Sequence, residues 1–280
     1  MVRDTTPSEK LFEIAPHKLE GFRTLIEILK NIPDDDVIFS ISDQGLQVSK
    51  MDKRRYMLII LRFPSSFFYS FRSGKNIPQI RLSLEELDRE VRFWAGEKET
   101  VLFELIQKEA VMRVGASHDI PVTIADGVIM LDPVELELPY LAEIVRKDFT
   151  QTMSMFAEVF PEDPTEIFPP GYYAPLHPVT FEGQAQEIHF HFSDETQEGI
   201  SIRHPIASSG VVQHARNFYP IEYIKKTLIL DTRLGDRITL EFGDNTPLRL
   251  QHINAEDIEL TFLIGSMDES PGHYRLSYAD

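Results

Sequence analysis

Leu82–Ile106, LSLEELDREVRFWAGEKETVLFELI, lies over Tyr219–Gly243, YPIEYIKKTLILDTRLGDRITLEFG, without a gap, at a constant offset of 137 residues (219 − 82). Leu84 meets Ile221, Leu87 meets Ile224, Val91 meets Leu228, Val101 meets Ile238 and Glu104 meets Glu241. In each copy the apolar positions recur at i, i+3 and i+7, which is one face of a helix. Each copy then turns through Gly96 or Gly235 into a strand of alternating character. Ser83 and Glu86 have the spacing of a capping box, and Pro220 stands where a first helical turn tolerates proline.

Outward from this pair the repeat continues more loosely. FEIAPHKLEGFRTLIEILKNI (12–32) and VELELPYLAEIVRKDFTQTM (134–153) both read as a short strand followed by an amphipathic helix. Each is followed by a strand, a turn and a second strand: VIFSISDQGLQVSK (37–50) in one copy, IHFHFSDETQEGISIRH (188–204) in the other. The chain is therefore expected to be an α+β protein of two similar domains, each with its helices on one side of antiparallel sheets. The domains should cover residues 1–117 and 133–280. The stretch between them, 118–132, is either a connector crossing the outside or one more strand.

Composition sets limits. The 280 residues carry 28 Lys and Arg against 45 Asp and Glu, a formal charge of −17. A surface so acidic repels phosphates in general, while leaving room for one confined basic face. The apolar content of 42% is enough for a substantial core. With no cysteine, disulfides, thiolate metal sites and cysteine nucleophiles are excluded. The first residues lack the basic-then-apolar layout of a signal peptide, and no apolar run approaches the roughly 20 residues that span a bilayer. An intracellular protein with no membrane association is expected.

Three stretches carry a family resemblance. DQGLQVSKMDKRRYMLIILRFPSSFF (43–68), with its Gly-x-x-x-x-x-Met-Asp run, resembles a segment of the DNA sliding clamps of eukaryotes and archaea, the proliferating cell nuclear antigen family. FEIAPHKLEGFRTLIEILKNI is similar to that family's opening strand and first helix. ITLEFGDNTPLRLQHINAEDIELTFLIG (238–265) resembles its closing hairpin. The likeness covers most of residues 11–132 and 217–265, and it lies in order and spacing, since none of these motifs is catalytic.

The resemblance implies the ring-forming DNA-clamp fold, in which three two-domain subunits line a hole with helices and close an outer β layer. It implies a non-enzymatic processivity factor that encircles double-stranded DNA without reading sequence. Its expected partners are DNA polymerase, a clamp loader and other replication or repair factors, held through short peptide motifs, with no cofactor and no metal. The location follows the source: nucleoid and cytoplasm in an archaeon, nucleus in a eukaryote. One region departs from the family, a proline-rich aromatic insertion around 160–186, and RHPIASSGVVQHARNF (203–218) is short for the strand pair expected there. The ring is accordingly either a homotrimer or a heterotrimer with paralogues. Its edges are expected at Ala110–Ala116 and Ser209–Ala215.

A clamp that slides needs long cationic side chains aimed at phosphates and no base-edge readers. The helices offer Arg23 and Lys30, Arg89 and Arg92, Arg146 and Lys147, and Lys225 and Lys226. Without the resemblance these are ordinary solvated helix faces. The resemblance likewise assigns a peptide-docking pocket to Met51, Tyr56, Leu58, Val122, Ile124, Pro247, Phe262 and Ile264, each of which alone reads as plain core. Lys53, Arg54 and Arg55 are either a solvated hairpin tip or a rim that meets acidic partners. His189 and His191, at i and i+2, share a face of a strand with no third ligand in sequence, so a structural role is expected. No Gly-rich phosphate loop, Gly-x-Ser-x-Gly elbow or His-Glu-x-x-His run occurs. The competing readings are a checkpoint-type or heterotrimeric clamp paralogue and, remotely, an enzyme on a duplicated α+β scaffold.

Overall fold

The computed structural model describes residues 8–32, 36–72, 79–97, 99–115, 118–125, 136–158, 176–192, 199–206, 214–228, 235–254 and 256–267. The chain divides into two units. The first comprises Met1–Lys53, Ile59–Leu131 and Glu256–Glu259, the second Arg54–Leu58, Asp132–Ala255 and Leu260–Asp280.

The first unit runs β1 (Glu9–Ile14), α1 (Pro16–Ile28), β2 (Asp36–Ser42), β3 (Gly45–Met51), β4 (Met57–Pro64), β5 (Ser70–Phe71) and β6 (Gln79–Ser83). It continues through α2 (Leu84–Ala95), β7 (Val101–Ile106), β8 (Val111–Val114) and β9 (His118–Ala125). Its strands lie in the order β4-β3-β2-β6-β9-β8-β7-β1-β5. The second unit runs β10 (Tyr140–Val145), α3 (Arg146–Glu158), β11 (Pro178–Gln184), β12 (Glu187–Phe192), β13 (Ile200–Pro205) and β14 (His214–Pro220). It ends with α4 (Ile221–Lys225), β15 (Arg237–Phe242), β16 (Leu248–Ile253) and β17 (Glu259–Ile264). Its strands form two runs, β10-β15-β16-β17 and β13-β12-β11-β14.

The repeat is topological as well as sequential. β1-β7-β8 is matched by β10-β15-β16, and β4-β3-β2-β6 by β13-β12-β11-β14. β9 pairs with β8 over His118–Pro121 and with β6 over Val122–Ala125. In the second unit the chain does the same in miniature three residues after β17, Met267 bridging to Phe218 of β14. Residue 84 of α2 plus the offset of 137 is Ile221, where α4 begins.

Local chemistry explains the elements. Ser83 Oγ accepts the Glu86 N–H at 3.1 Å, and Glu85 and Glu86 in the first turn with Arg92 in the last complement the α2 dipole. Leu84, Leu87 and Val91 are buried on its inner stripe, beside Leu19, Phe22, Leu25 and Ile26 of α1. α4 stops after five residues, much sooner than its counterpart. Thr227 turns its hydroxyl onto the Ile224 carbonyl at 2.8 Å, and i→i+3 bonds from Lys226, Thr227 and Leu228 tighten the end. The glycine of the Gly-x-x-x-x-x-Met-Asp run, Gly45, has φ +144°, and a Cβ there would fall 2.0 Å from the Phe63 carbonyl oxygen.

Two sequence expectations change, and one of two open readings is met over part of its length. Ala110–Ala116 is no edge, because its strand β8 is hydrogen-bonded to β7 on one side and β9 on the other. Of the two readings of 118–132, connector or strand, the strand is found over His118–Ala125, and residues 126–135 lie outside the described residues. The insertion around 160–186 cannot extend past 177, because β11 is a central strand paired with β12 and β14. Its Phe181 packs on Phe190, Tyr219 and Phe242 at ring-centroid distances of 4.8, 5.2 and 6.0 Å. Residues 159–175 lie outside the described residues, as do 207–213 of the expected second edge.

Candidate functional site

In the first unit α1 and α2 pack side by side, and their cations sit in a ladder of carboxylates. Arg23 donates to Glu20 at 2.5 and 3.1 Å and to Glu27 at 2.6 Å. Arg92 donates to the same Glu27 oxygen at 3.3 Å and to Asp88 Oδ2 at 2.8 Å, and Lys30 reaches that Oδ2 at 2.5 Å. Arg89 pairs with Glu86 at 3.9 Å and Glu90 at 3.3 Å. The hydrogen bond to Glu20, opposed by burial and aided by the charges of Glu27, Glu20 and Asp88, raises the Arg23 pKa above its ordinary value. The four cations read from the sequence as phosphate-facing are therefore present on the helix pair, and all are paired.

In the second unit α3 packs beside α4. Arg146 opens α3 and is half-buried, while Lys147 beside it is exposed. Lys225 and Lys226 are half-buried, the latter with its Nζ 5.4 Å from the centre of the Tyr223 ring.

The eight residues expected to line a docking pocket separate by burial. Met51 and Ile124 of the first unit are half-exposed, as are Tyr56 and Pro247 of the second. Tyr56 lies against Tyr223 at 5.6 Å between ring centres, and its carbonyl accepts the Gly265 N–H at 2.8 Å. Phe262 and Ile264 have 0% exposure, and Leu58 and Val122 are buried too. Every residue of β17 after Glu259 is enclosed, so Phe262 is a core residue, packed edge-on to His252 at 6.3 Å. Val122 is occupied by its pairing with Leu82 across β9 and β6. Phe262, Ile264, Leu58 and Val122 are thus buried within their own units and present no docking surface. Lys53 and Arg55 are exposed at the β3–β4 turn, where Arg55 takes φ 60°, while Asp52 is buried.

A polar cavity of about 680 Å³ lies in the first unit beside the N-terminus of α2. Asp36, Arg81, Glu85, Glu86, Arg89 and Val122 are among its walls. Its charges are mixed and it has no convergent nucleophile or base. His189 is engaged by Glu187 at 2.7 Å. Among the described residues no group of three or more His, Asp or Glu is placed to hold a metal ion, and no helix is long and apolar enough to cross a membrane.

A duplicated unit of antiparallel sheet with a packed helix pair, carrying cations on the helices, defines the architecture of a two-domain ring clamp. The profile of the family described as "Proliferating cell nuclear antigen, N-terminal domain" matches residues 12–122. The DNA polymerase sliding clamp of Pyrococcus horikoshii is 21% identical over 259 residues, spanning 90% of this chain and 97% of its own. The solved PCNA2–PCNA3 complex of Sulfolobus tokodaii superposes with a TM-score of 0.67 at 15% identity, over 93% of this chain and 99% of that one. The A. fulgidus PCNA bound to the C-terminal region of FEN-1 superposes with a TM-score of 0.68 at 14% identity, over 93% and 99% of the two chains. The first domain thus matches the proliferating cell nuclear antigen N-terminal domain, and the chain as a whole is similar to DNA sliding clamps of that family in sequence and in fold.

Proposed function

We infer that this protein is a DNA sliding clamp: a non-catalytic ring that encircles duplex DNA and tethers DNA polymerase and other replication or repair proteins to it. The observation that carries the reading is the repeated sheet-and-helix-pair unit, in a chain whose relatives over 90% of its length bear that name. A ring needs no base contacts, because topology keeps it on the duplex; its inner wall needs only weak, sequence-independent attraction to phosphate. Such a protein works where the chromosome is.

Assembly is the second part of the reading. Each residue of β9 pairs with β8 or with β6 and never with both, so half of its backbone groups face away from any described strand. β13 ends its sheet, with Ile200, Ser201 and Arg203 exposed. Two such edges on opposite units support closure of a trimer by strand pairing between subunits. β14, by contrast, is blunted: its Arg216 N–H is bound by Asp244 and its Phe218 carbonyl by Met267. The Sulfolobus complex joins two different clamps, and the second-domain insertion favours the same arrangement here, a heterotrimer with paralogues. Partners in the manner of the FEN-1 complex would dock by short peptides, for which the second unit offers the half-exposed Tyr56 and Pro247.

The test is primer extension on a long single-stranded template, with a replicative polymerase and clamp loader. Long products that appear only when this protein is present support the inference. Product lengths unaffected by the protein at any concentration reject it.

A further inference from the structure

The acids on the first helix pair are placed as deliberately as the bases. Glu27 Oε1 accepts from Arg23 and Arg92 together, and Asp88 Oδ2 accepts from Lys30 and Arg92 together. The result is an alternating ladder, Glu20–Arg23–Glu27–Arg92–Asp88–Lys30, with as many negative as positive members. It crosses from α1 and the turn after it to α2, so it is a product of the fold and not of helix spacing alone. Asp88 anchors it: its side chain is 7% exposed, and its second oxygen, Oδ1, is buried with no hydrogen-bond partner among the described residues. The cations are not sealed in. The Arg92 side chain is 60% exposed and that of Lys30 is 40% exposed, so both can reach an incoming anion without unfolding anything.

We propose that Glu27 and Asp88 are built-in surrogates for DNA phosphate, which keep Arg23, Lys30 and Arg92 neutralised so that duplex DNA engages this wall only by exchanging a phosphate for a carboxylate. This rests on the sliding-clamp reading and adds to it a rule for how tightly the wall holds. A free lysine or arginine that binds a phosphate lets a counterion leave the DNA, and each such contact steepens the dependence of log K on log salt by about 0.9. A paired cation behaves differently. The carboxylate it abandons must recruit a cation from solution, which cancels the release. The exchange is near neutral in energy, weakly dependent on salt and quickly reversed. A ring that must not stall on any one phosphate needs such a surface.

The experiment is equilibrium binding of fluorescent linear duplex DNA, followed by anisotropy between about 50 and 200 mM salt. Wild type is compared with E27Q/D88N and with E20Q/E27Q. E27Q/D88N releases Lys30 and Arg92 and should steepen the log–log slope by about 1.8, two contacts at about 0.9 each. Affinity gained on lowering the salt fourfold should then be about tenfold larger than in wild type. E20Q/E27Q releases Arg23 alone and should add about 0.9. Because that second pair sits on half-exposed or exposed side chains, it keeps the test open if the change at buried Asp88 impairs folding. Slopes equal to that of wild type in the folded variants overturn the surrogate role. If wild type remains on circular duplex DNA in the same laboratory, that result leaves the clamp reading intact. Absence of DNA binding by all three proteins at every salt concentration overturns the surrogate role, while loss of the clamp reading itself would show as failure to stay on loaded circular duplex.

Discussion

Gly183 of β11 lies flat against the ring of Tyr140 of β10, so close that a Cβ would fall 2.3 Å from ring carbon Cζ. The ring cannot give way, because its hydroxyl donates to the Gln184 carbonyl at 2.9 Å and its face packs on Phe242 at 4.8 Å. Burial pushes the Tyr140 hydroxyl pKa up to about 12. Substituting Gly183 with Ala should overpack this joint and cost about 1–3 kcal/mol, measured by urea unfolding. A loss within error of zero would show that the two strands can move apart.

Phe262 offers a test between core and surface. With 0% exposure, Phe262→Ala should lower folding stability by about 3–5 kcal/mol. A variant of unchanged stability that loses only peptide binding would return Phe262 to a docking role.

His252 should make the protein sensitive to mild acid. The ring is buried, neither nitrogen has a hydrogen-bond partner among the described residues, and burial, then the charge of Arg146, pushes its pKa down to about 4. The unfolded imidazole, with an ordinary pKa near 6.5, takes up a proton that the folded one refuses. Stability from this group is therefore complete above about pH 6.5 and is lost as pH falls toward 4, by about 3 kcal/mol in all. His252→Leu should flatten the pH dependence of unfolding in that window relative to wild type. Parallel curves for the two proteins would assign the acid sensitivity elsewhere.

Ser83→Ala removes the acceptor for the Glu86 N–H and should cost about 1 kcal/mol in thermal or chemical unfolding. Ser83→Asp should restore most of it. If the Asp variant is no better than the Ala variant, the cap is not the source of the loss.

How far the sequence could be read depended on range. The helix-then-strand repeat was legible because 3.6-residue periodicity and capping are local, whereas Gly45 entered only through the Gly-x-x-x-x-x-Met-Asp resemblance and its φ of +144° is seen in the fold. What could not be read was decided by partners distant along the chain. Val111–Val114 reads like an edge until β9 returns to cover it. Pro121 interrupts the pattern of β9, hiding a strand within an apparent connector. Phe262 looks like any alternating strand residue, yet both faces of β17 are enclosed. The helix cations were visible, but Lys30 and Asp88 are 58 residues apart, and Glu27 and Arg92 are 65 apart, so the ladder exists only in the folded unit.

The central claim is topological, and a topological measurement tests it most directly. The protein is loaded by a clamp loader onto a nicked circular duplex, separated from free protein, and the circle is then cut once with a restriction enzyme. A sliding clamp stays on the intact circle through a salt wash and runs off the ends once the circle is linear. Equal retention before and after the cut would mean that the protein grips DNA as an ordinary ligand, and would contradict the account.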